Sequence, residues 1–222
     1  MTHAMIPTEH ALAPQTRERY SADADVTQAG VARSRETTVW TLAHPVEDPQ
    51  THAARLDAAC YAAASQYVEV IQRMTWGLIG TVRGAPTDRM SLYIRPLRFK
   101  LMQFSPLRPS GTTGEYVVSV EQGFLRSRWA KPEHEGRLHF QWHAQGTEET
   151  FQTEVQDFMP RLVGRRSFWL SRLFYKCTQV VMHSVVMWRY HAWVKRHRAV
   201  LIAQSSPPQL EHEPQSEALA HS

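Results

Sequence analysis

Residues 158–210 contain no Asp and no Glu. A stretch without carboxylates offers no acid to chelate a metal or act as a general base, and its cations have no oppositely charged neighbours in sequence. Cysteine is scarce too. Only Cys60 and Cys177 occur, which argues against a disulfide-built scaffold. Both fall in apolar helical patterns, where a free thiol behaves as a small core hydrophobe. There is no Gly-x-Ser-x-Gly elbow and no glycine-rich phosphate loop ahead of a helix, so the usual settings of a serine nucleophile or a nucleotide are missing. No motif points to a cofactor, and none is expected. RNP, KH and zinc-finger patterns are lacking, which argues against a nucleic-acid partner. Residues 1–36 lack the basic-then-apolar order of a signal peptide, so the cytoplasm is the expected location. The long apolar stretch 168–188 is interrupted by Arg172, Lys176, Gln179 and His183. A spanning helix needs about 20 mainly apolar residues, so this stretch suits a membrane surface better than a crossing.

What the acid-free stretch does hold is basic and aromatic. Arg161, Arg165, Arg166, Arg172, Lys176, Arg189, Lys195, Arg196 and Arg198 alternate with Phe158, Phe168, Trp169, Phe174, Tyr175, Trp188, Tyr190 and Trp193. Such a mixture attracts anions and buries apolar surface at once. The 222-residue chain is 42% hydrophobic, enough for one domain with a substantial core. Its formal charge of +4 understates the basic body, because Glu211, Glu213 and Glu217 sit in an acidic tail.

Periodicity divides the chain into a flexible leader over 1–36, a single α+β domain over 37–200 and a disordered acidic tail over 201–222. Residues 37–42 have the composition of a short strand. Asp48-Pro49 is a helix start, with Asp48 as N-cap and Pro49 in the first turn. Leu56, Cys60, Ala63, Tyr67, Ile71, Met74 and Leu78 then recur at helical spacing, predicting one helix over about 49–81. Residues 89–158 alternate with period two and break at Pro96, Gly111, Gly114, Gly123 and Gly146, an antiparallel meander of four long or six shorter strands. From about 167 to 199 the period is helical again, with Cys177, Val181, Ser184, Val185 and Trp188 in the apolar stripe. Lys195, Arg196 and Arg198 at its end complement the helix dipole.

Short strand, helix, antiparallel meander and long C-terminal helix is an order that resembles the helix-grip superfamily of START-type domains and polyketide cyclases (SRPBCC-like proteins). Trp129 and Trp142 in the strands and the stretch from Arg161 into the last helix carry the likeness. The resemblance implies a sheet curled round the C-terminal helix, enclosing an apolar pocket for a lipid or polyketide-like molecule. Tyr67, Phe99, Tyr116, Trp129, Phe140, Trp142, Cys177, Val181 and Trp188 are the candidate ligand-binding residues. Whether cyclase- or dehydratase-type chemistry accompanies binding is left open, as is the oligomeric state. A second reading makes the chain a peripheral membrane or protein-interaction module. Its contact to an anionic membrane would be Arg161, Arg165, Arg166, Arg172 and Lys176.

The titratable residues read mostly as structural. His139 and His143 share a strand face but lie about 13 Å apart, too far to share a metal. His183 and His191 are separated by about 12 Å along a helix and have no ligand partner at suitable spacing, so no metal is expected. Glu133, Glu135, Glu148 and Glu149 look like solvated loop and turn acids. Asp157 is expected to pair with Arg161 or Arg165.

Overall fold

The structure is a computed structural model and describes residues 17–27, 31–46, 48–84, 89–95, 97–124, 135–159 and 181–204. Its architecture is α+β, with N-terminal and C-terminal helices packed on a large antiparallel sheet in a helix-grip-like arrangement. The strands are β1 (Arg17–Val26), β2 (Ala32–Thr41), β3 (Ile79–Gly84), β4 (Arg89–Ile94), β5 (Phe99–Phe104), β6 (Arg108–Pro109), β7 (Glu115–Gln122), β8 (Glu135–Gln145) and β9 (Glu148–Phe158). The helices are α1 (Pro49–Met74) and α2 (Val181–Gln204). Strand order is β1-β2-β9-β8-β7-β5-β4-β3, with β6 also paired to β7. The six strands β4 to β9 are the expected meander. The sheet nevertheless starts earlier than the sequence suggested. Residues 17–26, read as leader, form an edge strand in full register with β2, from Arg17 opposite Thr41 to Val26 opposite Ala32.

Along β2, β8 and β9 alternate residues turn toward the helices. On β8 these are Leu138, Phe140 and Trp142, while Arg137, His139, Gln141 and His143 take the other face, as alternation predicts. His139 lies 3.1 Å from Glu115 across the β7–β8 pair. The β8–β9 hairpin closes through two residues with Gly146 at φ 61°, a conformation that costs glycine least.

α1 opens as the sequence predicts, with the Asp48 carboxylate accepting from the amides of Gln50 and Thr51. It closes earlier than predicted. Trp76 and Gly77 adopt φ of 49° and 77°, and the Gly77 amide donates to the Gln72 carbonyl. This left-handed C-terminal cap turns the chain into β3 and takes Leu78 out of the helical stripe. The glycine after Trp76 was the stop signal.

Ala59, Ala63 and Ala64 give α1 a slim buried face, so α2 comes close enough for the Tyr190 hydroxyl to donate to the Ala63 carbonyl at 2.9 Å. Tyr67, Phe140 and Tyr190 meet edge to face at that crossing, with Phe151 and Trp142 extending the cluster over the sheet. α2 does not present the stripe read from the sequence. Its buried residues are Met187, Tyr190, His191, Trp193, Val194 and Leu201, whereas Val185 and Trp188 face outward, Trp188 at 55% exposure. The helix is rotated because polar groups of the sheet bind His191 and Arg198 and draw that face inward.

Arg198 shows the effect plainly. Its guanidinium clasps the Glu149 carboxylate at 2.7 and 2.5 Å and lies over the Trp40 ring, while the Trp142 indole donates to the same carboxylate at 2.9 Å. Glu149 is 0% exposed, so it is neither a solvated turn acid nor is Arg198 merely a dipole cap. Replacing one partner of a buried pair strands the other charge at a cost of about 3–5 kcal/mol. Arg198→Met is therefore expected to lower unfolding free energy in urea by about that amount. Adding Glu149→Gln, which keeps an acceptor for the indole, should recover most of the loss.

Candidate functional site

The inner face of β2 is polar at three successive inward positions, next to Glu149 and Thr153 of β9, whereas β8 turns Leu138, Phe140 and Trp142 inward. Ser34, Glu36 and Thr38 point at α2, followed by Trp40, while Arg33 and Arg35 face outward and pair with Asp157 and Glu154. Asp157 thus finds Arg33; Arg161 and Arg165 lie outside the described residues. α2 runs along this row with His183, His191 and Arg198 turned toward it. The Ser34 hydroxyl lies 2.8 Å from His183 Nε2, and the Thr38 hydroxyl 2.8 Å from His191 Nδ1. On β9, the Thr153 hydroxyl stands between His191 Nε2 at 2.9 Å and Glu36 Oε2 at 3.3 Å.

Proton counting gives this chain a direction. A hydroxyl has one proton to give, and a neutral imidazole has one N–H. With Glu36 ionised, Thr153 donates to the carboxylate and accepts from His191 Nε2–H, leaving Nδ1 to accept from Thr38. With a proton on Glu36 Oε2, every one of these bonds reverses. His191 is neutral in either case, because burial pulls its pKa down to about 3. Burial likewise pulls His183 down to about 4, although 32% of its side chain is exposed.

Glu36 is 1% exposed, and burial raises its carboxyl to about 7, partly offset by the hydroxyls of Thr153 and Ser34. Its Oε1 is buried without a hydrogen-bond partner and lies 3.6 Å from His183 Nε2. Tyr20 closes the cluster from β1, its ring edge on His191 at 5.5 Å. Burial and the nearby Glu36 charge push its hydroxyl up to about 12. An unsatisfied buried acceptor costs about 1–3 kcal/mol, and the Ser34 hydroxyl, turned to His183, is the nearest donor to this carboxyl besides Thr153. Among the described residues, no three His, Cys, Asp or Glu gather closely enough to hold a metal ion.

A second feature lies at the opposite end of β2. A cleft of about 340 Å³ opens between the start of α1 and the β8–β9 hairpin, lined by Pro45, Val46, His52, Trp142 and His143 among others. His52 backs it, with Nε2 3.5 Å from Glu149 Oε2. A third polar group holds β7 to α1. Asp57 accepts from the Gly114 amide at 2.7 Å and the Tyr116 hydroxyl at 3.1 Å.

The residues expected to line a ligand pocket are divided by the structure. Tyr67 and Phe140 pack on each other in the core, Trp142 faces the cleft at the start of α1, and Tyr116 is tied to Asp57. Phe99 meets Phe124 edge to face far along the sheet, and Trp188 faces outward. Val181 begins α2 as described. Trp129, Cys177, Arg161, Arg165, Arg166, Arg172 and Lys176 lie outside the described residues. Sequence reading missed Ser34, Glu36, Thr38 and Thr153 as a group. The alternation Ser34, Glu36, Thr38, Trp40 was the available signal, continuous with the strand recognised at 37–42. No helix among the described residues is long and apolar enough to cross a membrane.

No protein-family model and no curated protein sequence matches the chain. Among solved structures it is similar to the crystal structure of CalU16 from Micromonospora echinospora, with 6% identity over 62% of this chain and 67% of that one and a TM-score of 0.25. In the solution structure of the same protein it spans 63% of the chain. It is also similar to human STARD10, with 11% identity over 84% of this chain and 82% of that one and a TM-score of 0.28. The extracellular domain of PknH from Mycobacterium tuberculosis gives 6% identity over 65% and 76% and a TM-score of 0.25. Likeness at this level carries no statement about ligand or activity.

The raised Glu36 pKa makes stability depend on pH. Unfolded, the carboxyl ionises near its ordinary 4.5; folded, it does so at about 7. Its stabilising effect is present in full below the unfolded value and is lost as pH rises through the folded one. Comparison with Glu36→Gln isolates this term, since the histidines are common to both chains. The stability of the variant relative to the parent should rise by about 2–3 kcal/mol between about pH 5 and about pH 8, read by urea denaturation at each pH.

Proposed function

We propose that the chain binds a hydrophobic or amphipathic small molecule between the sheet and α2, with the ligand's polar end at Glu36 and His183. The observation that carries this reading is the partnerless Glu36 Oε1, buried 3.6 Å from a histidine that keeps a third of its side chain open. Tyr20 and Tyr67 lie close enough to feel the Glu36 charge, and Tyr20 and Phe151 pack on His191, so the environment is largely apolar with a few convergent polar groups, the usual composition of a small-molecule site. A carboxyl titrating near 7 donates to a ligand carbonyl when protonated and accepts from a hydroxyl when ionised. The site therefore favours a neutral oxygen-bearing head over an anionic one. A fatty alcohol, a sterol-like alcohol or a polyketide-like phenol has that chemistry.

The same group has the means for proton transfer. A general acid–base catalyst works best with a pKa near the working pH, and Glu36 is tuned there by burial. Dehydration or cyclisation of a polyketide-like ligand is the chemistry such a carboxyl serves, and binding is the primary role we assign.

Native mass spectrometry of the full chain, purified without detergent, tests the reading. The expected result is an adduct that organic extraction removes, or else saturable uptake of a fluorescent long-chain alcohol. Glu36→Leu should weaken uptake roughly tenfold, the worth of one buried hydrogen bond to a charged group, with near-ultraviolet circular dichroism as the check on the fold. An adduct-free chain that takes up no apolar alcohol would overturn the reading.

A further inference from the structure

A separate face of the molecule carries a different kind of feature. Two turns lie side by side where β3 meets β4. One is the cap of α1, residues 75–78, and the other joins β4 to β5; the Arg95 amide bonds the Leu78 carbonyl at 3.0 Å between them. Their tips are apolar and exposed. Trp76 is 93% exposed and Leu97 76%, with Leu78 beside them. Phe99 and Phe124, edge to face with ring centroids 4.7 Å apart, continue the apolar rim at the start of β5.

Both tips also hold a non-glycine residue in the left-handed region, Trp76 at φ 49° and Arg98 at φ 49°. Such backbone is sparsely populated by bulky side chains and costs on the order of 1 kcal/mol or more. At Trp76 that conformation sets the largest side chain of the turn outward.

Among the described residues, the charges that flank Trp76 and Leu97 in sequence are of one sign. Arg73 ends α1, while Arg95 and Arg98 flank Leu97. Among the described residues, no carboxylate forms an ion pair with any of the three. Arg95 is held in place by the bare backbone beneath it. Its stem crosses Gly80 so closely that a Cβ there would come within 2.8 Å of the Arg95 Cγ. Lys100 lies over the Tyr93 ring at 6.0 Å, and Arg189 of α2 reaches the Met74 carbonyl at 3.4 Å.

We infer that this end of the molecule is a docking surface for an anionic lipid bilayer. Trp76 and Leu97 enter the headgroup–acyl boundary, and Arg73, Arg95 and Arg98 meet the lipid phosphates. The combination identifies the partner. A tryptophan exposed at a tip suits headgroup depth. Unpaired arginines ringing the apolar tip complement a negative surface. The surface is distinct from the Glu36 site and stands or falls independently of it.

Co-sedimentation of the full chain with vesicles tests the inference. Binding is expected to phosphatidylcholine vesicles containing phosphatidylglycerol, to weaken with added salt, and to be poor with phosphatidylcholine alone. Arg98→Ala should weaken it roughly fivefold and Trp76→Ser roughly tenfold. Both positions are exposed, and unchanged far-ultraviolet circular dichroism checks the fold. In wild type, brominated acyl chains should quench part of the tryptophan fluorescence, and Trp76→Phe should abolish that quenching. Three results would overturn the inference: no binding to anionic vesicles at low salt, affinity undiminished in both variants, or quenching retained in Trp76→Phe. Concentration-dependent dimerisation lost in Trp76→Ser, without vesicle binding, would assign the surface to a second copy of the chain and also overturn it.

Discussion

α2 sits on the sheet in one rotation and one register because polar groups on both partners must find each other inside an aromatic core. His191 is clasped on both ring nitrogens by Thr38 and Thr153, and Arg198 by the buried Glu149. A buried hydroxyl, imidazole or carboxylate without its partner costs more than a lost apolar contact, so these pairings outrank the hydrophobic preference of the helix. The consequence is visible in what is left outside. Trp188 and Val185 face outward so that His191 and Arg198 can face in.

The aromatic cluster supplies the bulk of the core, and the polar row decides how it is assembled. Tyr67, Phe140, Phe151 and Tyr190 would tolerate small slips of the helix along the sheet, since ring edges and faces pack in several ways. The hydrogen-bonded chain would not. The same row creates the one buried carboxyl oxygen without a partner among the described residues, at Glu36. Structure and candidate function therefore share a cause. Ser34, Glu36 and Thr38 place the helix, and the position it takes leaves Glu36 and His183 facing each other at 3.6 Å.

Much of the architecture was legible because local patterns were strong. Asp48-Pro49 marked the start of α1, alternation marked β4 to β9, and Leu138, Phe140 and Trp142 were placed on the inner face of β8. The failures have definite causes. β1 is an edge strand whose residues are largely exposed, so it lacks the apolar alternation that identifies half-buried strands. α1 ends at a Trp-Gly pair whose left-handed geometry overrides an apolar residue at helical spacing. The face of α2 was misread because hydrophobic periodicity cannot anticipate that a histidine will be buried and an arginine drawn in to a buried carboxylate. Glu36 and Glu149 were invisible for the same reason. Their roles depend on partners more than 100 residues distant for Glu36 and about 50 for Glu149. Of the ligand residues expected from the sequence, Tyr67 and Phe140 pack in the core, and the polar groups beside His191 went unrecognised.

The central claim is that Glu36 is a buried carboxyl held at the edge of ionisation, ready to exchange a proton or hydrogen bond with a ligand. A carboxyl-carbon NMR titration of the full chain, with Glu36 assigned by comparison with Glu36→Gln, measures this directly. The account predicts a Glu36 midpoint at about 7, well apart from the exposed carboxylates. A midpoint in the ordinary range near 4.5 would contradict it.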